Sequence, residues 1–348
     1  MKIDLYDELG YVNIPAILHS GYPFNIIFGG RGTGKTYGAL LYALNSDRKF
    51  MLMRRTQKQA DKINNPQLSP FKSVCNDHPE FRIITKKLDD IGAVYDYELD
   101  EDGRIVTNDS PRGFTCALST ISNLRGFDAS DVDLIIYDEF IPERHEKNLR
   151  DEGDAILNAY ETINRNRELK GKKPVQFLAL ANSNRIDNPL FETLSLVNVA
   201  QEMADRKRPP VYANREKGLL FVSLDASPIS RKKKETALYR LTSGSDFEAM
   251  ALENRFTGVS FDNVRAANLN EFRPVVTVGE ITIYKHKSDS RYHVAFHRSG
   301  SVRQYGTDET DLKRFRSAYA NIWFRYIERN NVTFENAAAL VLFEKYFT

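Results

Sequence analysis

The densest chemistry in this sequence lies in Gly29-Gly30-Arg31-Gly32-Thr33-Gly34-Lys35-Thr36, which fits G-x-x-x-x-G-K-[ST]. Glycines let the backbone wrap so that its N–H groups face phosphate oxygens. A helix starting here would add the partial positive charge of its N-terminus. Lys35 is then placed to reach the β- and γ-phosphates of ATP, and Thr36 to ligate Mg²⁺. A plain glycine-rich turn is the alternative. The apolar Phe24-Asn25-Ile26-Ile27-Phe28 before the motif and the helix-forming Tyr37-Gly38-Ala39-Leu40-Leu41 after it favour a phosphate site.

A second constellation is Leu134-Ile135-Ile136-Tyr137-Asp138-Glu139, an apolar run ending in two carboxylates. Asp138 suits Mg²⁺, which leaves Glu139 to polarise the attacking water. Strand-end acids are common, so this pair gains its meaning from the glycine motif. The pair lies roughly 100 residues after Lys35, which leaves room for an extra strand between the motifs. That favours the additional-strand, catalytic-glutamate branch of P-loop NTPases over small kinases and GTPases.

A third apolar run, 177–181, ends in Asn182-Ser183-Asn184. Asn182 is the first candidate for sensing the terminal phosphate and Ser183 the second, against a simple turn cluster. Arg165-Asn166-Arg167 closes a helical stretch at 155–164. Arg165, then Arg167, is the candidate finger offered to a neighbouring subunit's site; a solvated helix end is the alternative. Arg54, Arg55 and Arg125 are supporting candidates for contact with nucleotide, a neighbour or DNA.

These residues need a scaffold. The chain has 348 residues, 41% hydrophobic and 28% charged, with a net charge of +2. That suits about two globular domains and excludes collagen-like, disordered and disulfide-scaffold classes. No apolar run approaches the ~18 residues of a spanning helix. The acidic start is no secretory signal. Two cysteines, Cys75 and Cys116, have no metal-ligand spacing and suggest a reduced, cytosolic setting. His286, His293 and His297 lack a fourth ligand and read as packing or surface residues.

Candidate strands at 24–28, 50–53, 114–118, 134–137 and 175–181 predict an α/β domain with a mostly parallel sheet. A hairpin is expected at 93–106, around Asp102-Gly103. Composition shifts near 205: residues 206–240 hold ten Lys/Arg against three acids. The expected organisation is an ATPase domain at 1–205, a basic helical linker at 206–268 and a small α+β domain at 269–348. Strands are expected at 280–284 and 292–297, and helices at 311–329 and 334–346. Residues 273–329 add eleven Lys/Arg against six acids. Such charge outside the ATPase core suits sequence-independent phosphate contact with DNA, although a solvated surface is the simpler reading of any single lysine. Lys232, Lys233 and Lys234, with Lys86 and Lys87 beside the hairpin, are the DNA-binding candidates.

Taken together the residues resemble the DNA-packaging ATPases of small tailed phages, the φ29-like branch of terminase-type motors. The resemblance rests on Gly29 to Thr36 with Arg31 third, Met53-Arg54-Arg55, Asp138-Glu139-Phe140-Ile141, Arg165-Asn166-Arg167-Glu168, Asn182 and Asn188-Pro189-Leu190-Phe191. Arg240-Leu241 and the run from Met250 to Phe256 continue it. It is dense over 24–191, fair over 228–260 and thin beyond. It implies ATP and Mg²⁺ as cofactors and a homomeric ring, a pentamer, docked on the phage portal in the host cytoplasm. That ring drives double-stranded DNA into a prohead, with either a packaging RNA or a protein adaptor as a further docking partner and no membrane. It implies that Arg165 acts in trans and that the C-terminal domain is RNase H-like without a nuclease site. The expected strands there carry no Asp or Glu on the apolar runs, as loss of a two-metal site requires. Asp308, Glu309 and Asp311 read as a solvated turn. A helicase or other ring-shaped nucleic-acid-dependent ATPase is the alternative, and a non-hydrolysing nucleotide switch a further one, against which Glu139 argues.

Overall fold

Runs such as Phe24-Asn25-Ile26-Ile27-Phe28 and Leu134-Ile135-Ile136-Tyr137 carry almost no polar side chains, so a sheet built from them must be covered on both faces. The structure, a computed structural model, describes the chain except residues 1–2, 125–127, 144–145, 150, 183–184, 225–226, 254–255, 257–259, 299–301 and 330. For residues 122–124, 246, 250, 253 and 329 it describes the backbone alone. Contacts divide the chain into two units. Met1–Leu194 joins Glu202–Thr257 in the first, and Ser195–Gln201 joins Gly258–Thr348 in the second.

The first unit holds β1 (Phe24–Gly29), β2 (Phe50–Arg54), β3 (Ile83–Leu88), β4 (Ile91–Leu99), β5 (Ile105–Thr107), β6 (Gly113–Ala117), β7 (Leu134–Asp138), β8 (Gln176–Asn182), β9 (Val211–Asn214) and β10 (Leu219–Leu224). They form one sheet in the order β3-β4-β6-β2-β7-β8-β1-β10-β9, with β5 paired to β4. The six strands from β6 to β10 in that order are parallel. The rim strands β3, β4 and β9 run antiparallel. β4 and β5 form the hairpin expected around Asp102-Gly103. β8 lies between β1 and β7, which sets the acidic strand two strands, roughly 10 Å, from the glycine-loop strand. Ile26, Ile27, Phe28, Leu134 and Ile135 are fully buried. Each such side chain contributes about 1.5–3 kcal/mol of burial. The helix Lys35–Asn45 packs Ala39, Leu40, Ala43 and Leu44 into the same core.

Part of the stretch expected as a basic helical linker, 206–268, is instead sheet. Leu219-Leu220-Phe221-Val222 is buried and pairs in parallel with β1, and β9 closes that edge. The charged residues around it line the turns, while the apolar run satisfies the open edge of β1. Among the described residues, helix appears further on as Pro228–Lys233, Ala237–Leu241 and Asp246–Glu253.

The second unit has β11 (Phe272–Val278), β12 (Ile281–His286), β13 (Tyr292–Ala295), β14 (Arg303–Tyr305) and β15 (Val332–Phe334) in the order β14-β11-β12-β13-β15. The middle three are antiparallel; β14 is parallel to β11, and β15 to β13. Helices Glu309–Arg329 and Ala337–Phe347 pack Phe315, Ile322, Leu340 and Phe343 into one core with Val276, Ile283, Val294 and Phe334. The chain therefore combines a large mixed, mostly parallel sheet with a small mixed sheet. Among the described residues no helix is long and apolar enough to cross a membrane.

Candidate functional site

The glycine motif forms the turn from β1 into the helix Lys35–Asn45. Gly34 caps that helix with φ +85°, a left-handed conformation that costs a side-chain-bearing residue energy. Gly30 is required by close approach, since an added Cβ would stand 2.3 Å from the Ala251 carbonyl oxygen. The Lys35 ammonium is buried inside the turn and donates to the carbonyls of Gly30 (2.8 Å) and Gly29 (3.2 Å) and to Thr33 Oγ1 (3.2 Å). Burial lowers its pKa to about 7, opposed by the nearby Asp138 charge and assisted by Lys233 and Arg31.

Asp138 ends β7 directly beside this turn. The Thr36 hydroxyl donates to both Asp138 oxygens, at 2.9 and 3.1 Å. Burial raises the Asp138 pKa, with Arg54 opposing. Arg54, at the end of β2, reaches Asp138 Oδ2 at 2.8 Å and Glu139 Oε2 at 2.5 Å. One guanidinium therefore holds both members of the acidic pair. Glu139 has φ 59°, a left-handed backbone that a strand end tolerates only when its surroundings enforce it. Its carboxylate is about half exposed (52%), open to water, whereas Asp138 is buried. Asn182 ends β8 in register with Gly29, at the lip of the loop.

The donor set fits the expected groups. Thr36 and Asp138 present hard oxygen donors side by side, as Mg²⁺ prefers when phosphates and water complete its shell. Arg31 Nε and Arg54 Nε are buried without a hydrogen-bond partner among the described residues. Arg31 otherwise pairs with Glu143 at 2.6 Å. Cations thus gather around a loop already rich in N–H groups, as a polyphosphate requires.

Arg55 does not join them. Its side chain turns inward, 1% exposed, and its Nε and Nη2 meet the two Glu152 oxygens at 2.7 and 2.8 Å. Tyr137 Oη donates to Glu152 as well, at 3.1 Å. Arg55 thus forms a buried ion pair with Glu152 and points away from the glycine loop. Glu152 starts the helix Glu152–Asn164, roughly 20 Å long, whose far end is Arg165.

Arg165 and Arg167 lie toward the opposite end of β7 from Glu139. Arg167 bonds Asp133 (2.8 Å) and the Ser130 carbonyl (2.6 Å), and Asp133 immediately precedes β7. The full length of β7 therefore separates them from the acidic pair, roughly 20 Å. Arg165 pairs with Asp128 at 3.1 Å. Both Arg165 (φ 44°) and Asn166 (φ 57°) are left-handed, which sets the Arg165 side chain off the helix axis. Arg165 and Arg167, with Lys170 and Lys172, line a recess of about 230 Å³.

Among the other candidates, Arg125 and Ser183 lie outside the described residues. Lys86 and Lys87 sit on the rim strand β3. Lys86 donates to Thr107 and lies over the Tyr95 ring, and Lys87 pairs with Asp61. Lys232 is exposed, whereas Lys233 points back onto the glycine loop. Asn188 caps the helix Pro189–Thr193 through the Phe191 N–H and is fully buried, so that shared stretch is structural. Reading by motif passed over Glu143, Glu152 and the individuality of Lys233. None carries a local signal, because each partner lies far away in the chain.

A glycine loop between a parallel strand and a helix, faced by an acid pair from a strand two places away, defines an ATPase-type α/β protein. The family model for the Podovirus DNA encapsidation protein (Gp16) matches residues 6–284, and the chain belongs to that family, as a DNA-packaging motor ATPase of the φ29-like type. It is 27% identical over 259 residues to the DNA packaging protein of Bacillus phage phi29, covering 73% of this chain and 68% of that one. The DNA packaging protein of Bacillus phage B103 is 26% identical over 243 residues, covering 68% and 65%. The solved structure described as the bacteriophage Phi-29 viral genome packaging motor assembly matches with a TM-score of 0.66 at 19% identity. That match covers 97% of this chain and 99% of the other, and it shows the fold.

Proposed function

We propose that the glycine-loop site hydrolyses ATP and that a homomeric ring of this chain at the phage portal uses the hydrolysis to drive double-stranded DNA into a prohead in the host cytoplasm. The observation that carries this reading is the meeting of Thr36, Asp138 and Glu139 at one loop, with Arg54 holding both acids. The loop N–H groups and Lys35 bind the β- and γ-phosphates. Thr36 and Asp138 hold Mg²⁺, which supplies charge neutralisation on the phosphates. Glu139 takes the proton of the attacking water, and Asn182 orients that water or contacts the terminal phosphate. The place of β8 between β1 and β7 supports the additional-strand, catalytic-glutamate class.

Arg165 acts on a neighbour's site. Its position toward the opposite end of β7 from its own Glu139 supports action in trans, with Arg167 bracing the turn through Asp133. A pentameric ring follows the family resemblance, and a packaging RNA or a protein adaptor is the further docking partner. The second unit is a nuclease-like domain without a nuclease site. Its three-stranded antiparallel meander with a parallel fourth strand supports this, as does the filling of β11, β12 and β13 by Thr277, Thr282 and His293 rather than carboxylates. The domain scheme of an ATPase core that takes in β9, β10 and the short helices of 228–253, followed by a C-terminal nuclease-like domain, is part of the same proposal.

The test is steady-state ATP hydrolysis with and without double-stranded DNA across a salt series, beside Lys35→Ala. Stimulation that fades with salt and vanishes in the variant supports a DNA motor. Hydrolysis indifferent to DNA at every salt concentration, in the presence of proheads too, would overturn the coupling.

A further inference from the structure

Lys232, Lys233 and Lys234 form one basic run, yet the three side chains are not equivalent. Lys232 is exposed, and Lys234 pairs loosely with Glu248 at 3.9 Å. Lys233 leaves its own helix and donates to the carbonyl of Arg31, inside the glycine loop, at 2.6 Å. Its stem and ammonium pass over the Tyr239 ring, 5.2 Å from the centroid. A methyl group added at Gly32 would stand 2.5 Å from its Nζ, so the ammonium lies directly against the loop. Gly32, with φ +68°, leaves room for that approach.

The surrounding charge makes this placement unusual for a surface lysine. Arg31, Lys35 and Lys233 converge on one loop. Burial lowers the Lys233 pKa, and the like charge of Arg31 lowers it further. The Lys233 ammonium donates to a neutral carbonyl, that of Arg31. Lys35 and Lys233 are held on loop carbonyls, beside Arg31, which pairs with Glu143; like charges so placed are in a costly arrangement that an added polyanion relieves. The second end of the same segment touches the loop too: the Ala251 carbonyl accepts the Arg31 N–H at 3.1 Å.

We propose that Lys233 is a second phosphate-binding lysine of this nucleotide site, contributed by the 228–253 helices to the outer phosphates of a nucleoside triphosphate. This rests on the reading of the glycine loop as the nucleotide site. It assigns Lys233 to nucleotide rather than DNA, and it joins the helical segment to the phosphate number of the bound nucleotide.

The experiment is calorimetric titration of the full chain, in Mg²⁺ and without DNA. The ligands are a non-hydrolysable ATP analogue, ADP and AMP, and the proteins are wild type, Lys233→Met, Lys233→Arg, Lys35→Met and the exposed control Lys217→Met. Loss of a charge-assisted contact should weaken the triphosphate by roughly ten- to a hundred-fold in Lys233→Met, ADP by less, and AMP hardly at all. Lys233→Arg keeps the charge and recovers part of the loss, which guards against a variant that merely folds poorly. A triphosphate affinity within two-fold of wild type in Lys233→Met, while Lys35→Met loses it, would overturn the assignment and leave the nucleotide site standing. Equal weakening for all three nucleotides would make Lys233 a structural tether and overturn it as well. Wild type that binds none of them would sink the site and the assignment together.

Discussion

The Arg54 guanidinium stands 2.5 Å from the Glu139 carboxylate, and its other terminal nitrogen stands 2.8 Å from Asp138. The residue proposed as base is thus held by the last residue of a different strand, 85 positions earlier in the sequence. This contact explains how a half-exposed glutamate with a left-handed backbone keeps a defined direction.

Glu139→Gln keeps the shape of the side chain and removes the base. Turnover is expected to fall by at least about a hundred-fold while ATP affinity stays within a few-fold of wild type. Arg54→Lys keeps a charge but cannot fork between two carboxylates. It is expected to lower kcat more than it raises KM. Single-turnover hydrolysis alongside nucleotide titration checks both, and an unchanged kcat in Glu139→Gln would remove the base assignment.

Arg165→Ala subunits mixed with wild type should depress activity more than dilution alone. The reason is spatial, since each Arg165 lies a strand-length away from its own acidic pair. The measurement is ATPase or packaging rate against the mutant fraction. A straight-line decline counts against service to a neighbour.

The Arg55–Glu152 pair is a matter of stability. Both residues are buried, and removing one leaves Glu152 with Tyr137 and the Leu149 N–H, or Arg55 with Glu146 at 3.5 Å and the Lys147 carbonyl. Glu152→Ala or Arg55→Ala is expected to cost about 3–5 kcal/mol by chemical denaturation. Replacing both with apolar residues of similar volume should recover much of that. A loss below about 1 kcal/mol for the single variants would show that the pair is solvated.

Cys116 supplies a pH dependence with a definite sign. Burial pushes its thiol from about 9 up to about 12. Below pH 9 the thiol is neutral in both folded and unfolded chains. Between about 9 and 12 the unfolded thiol loses its proton while the folded one keeps it, so stability falls as pH rises. Cys116→Val should flatten this part of the stability–pH curve. Identical alkaline slopes in the two proteins would rule the group out.

Charge reversal at Lys232 and Lys234, with Lys233 left intact, separates DNA contact from nucleotide contact. If these two face DNA, the double variant binds DNA more weakly and with a shallower salt dependence, by about one to two units of slope. Filter binding across a salt series measures it. An unaltered slope would assign both lysines to solvent or another partner.

Much of the molecule was legible along the chain because its signals are local. The strands at 24–28, 50–53 and 134–137 appear as β1, β2 and β7, since runs of apolar residues this short and this continuous have few other ways to leave water. The glycine spacing of the loop and the Asp138-Glu139 pair were equally visible, because backbone turns and strand-end acids are properties of adjacent residues. β10 was not: its apolar run sits between basic stretches, and its membership depends on the open edge of β1, nearly 200 residues earlier. The same distance hid the partners of the charged groups. Arg55 meets Glu152 across 97 residues, and Lys233 meets Arg31 across 202. Composition could say that these residues were charged. Folding chose which of them lost water and which carboxylate, carbonyl or solvent molecule each one met, because that choice depends on through-space distance and burial, and neither is written in the order of residues.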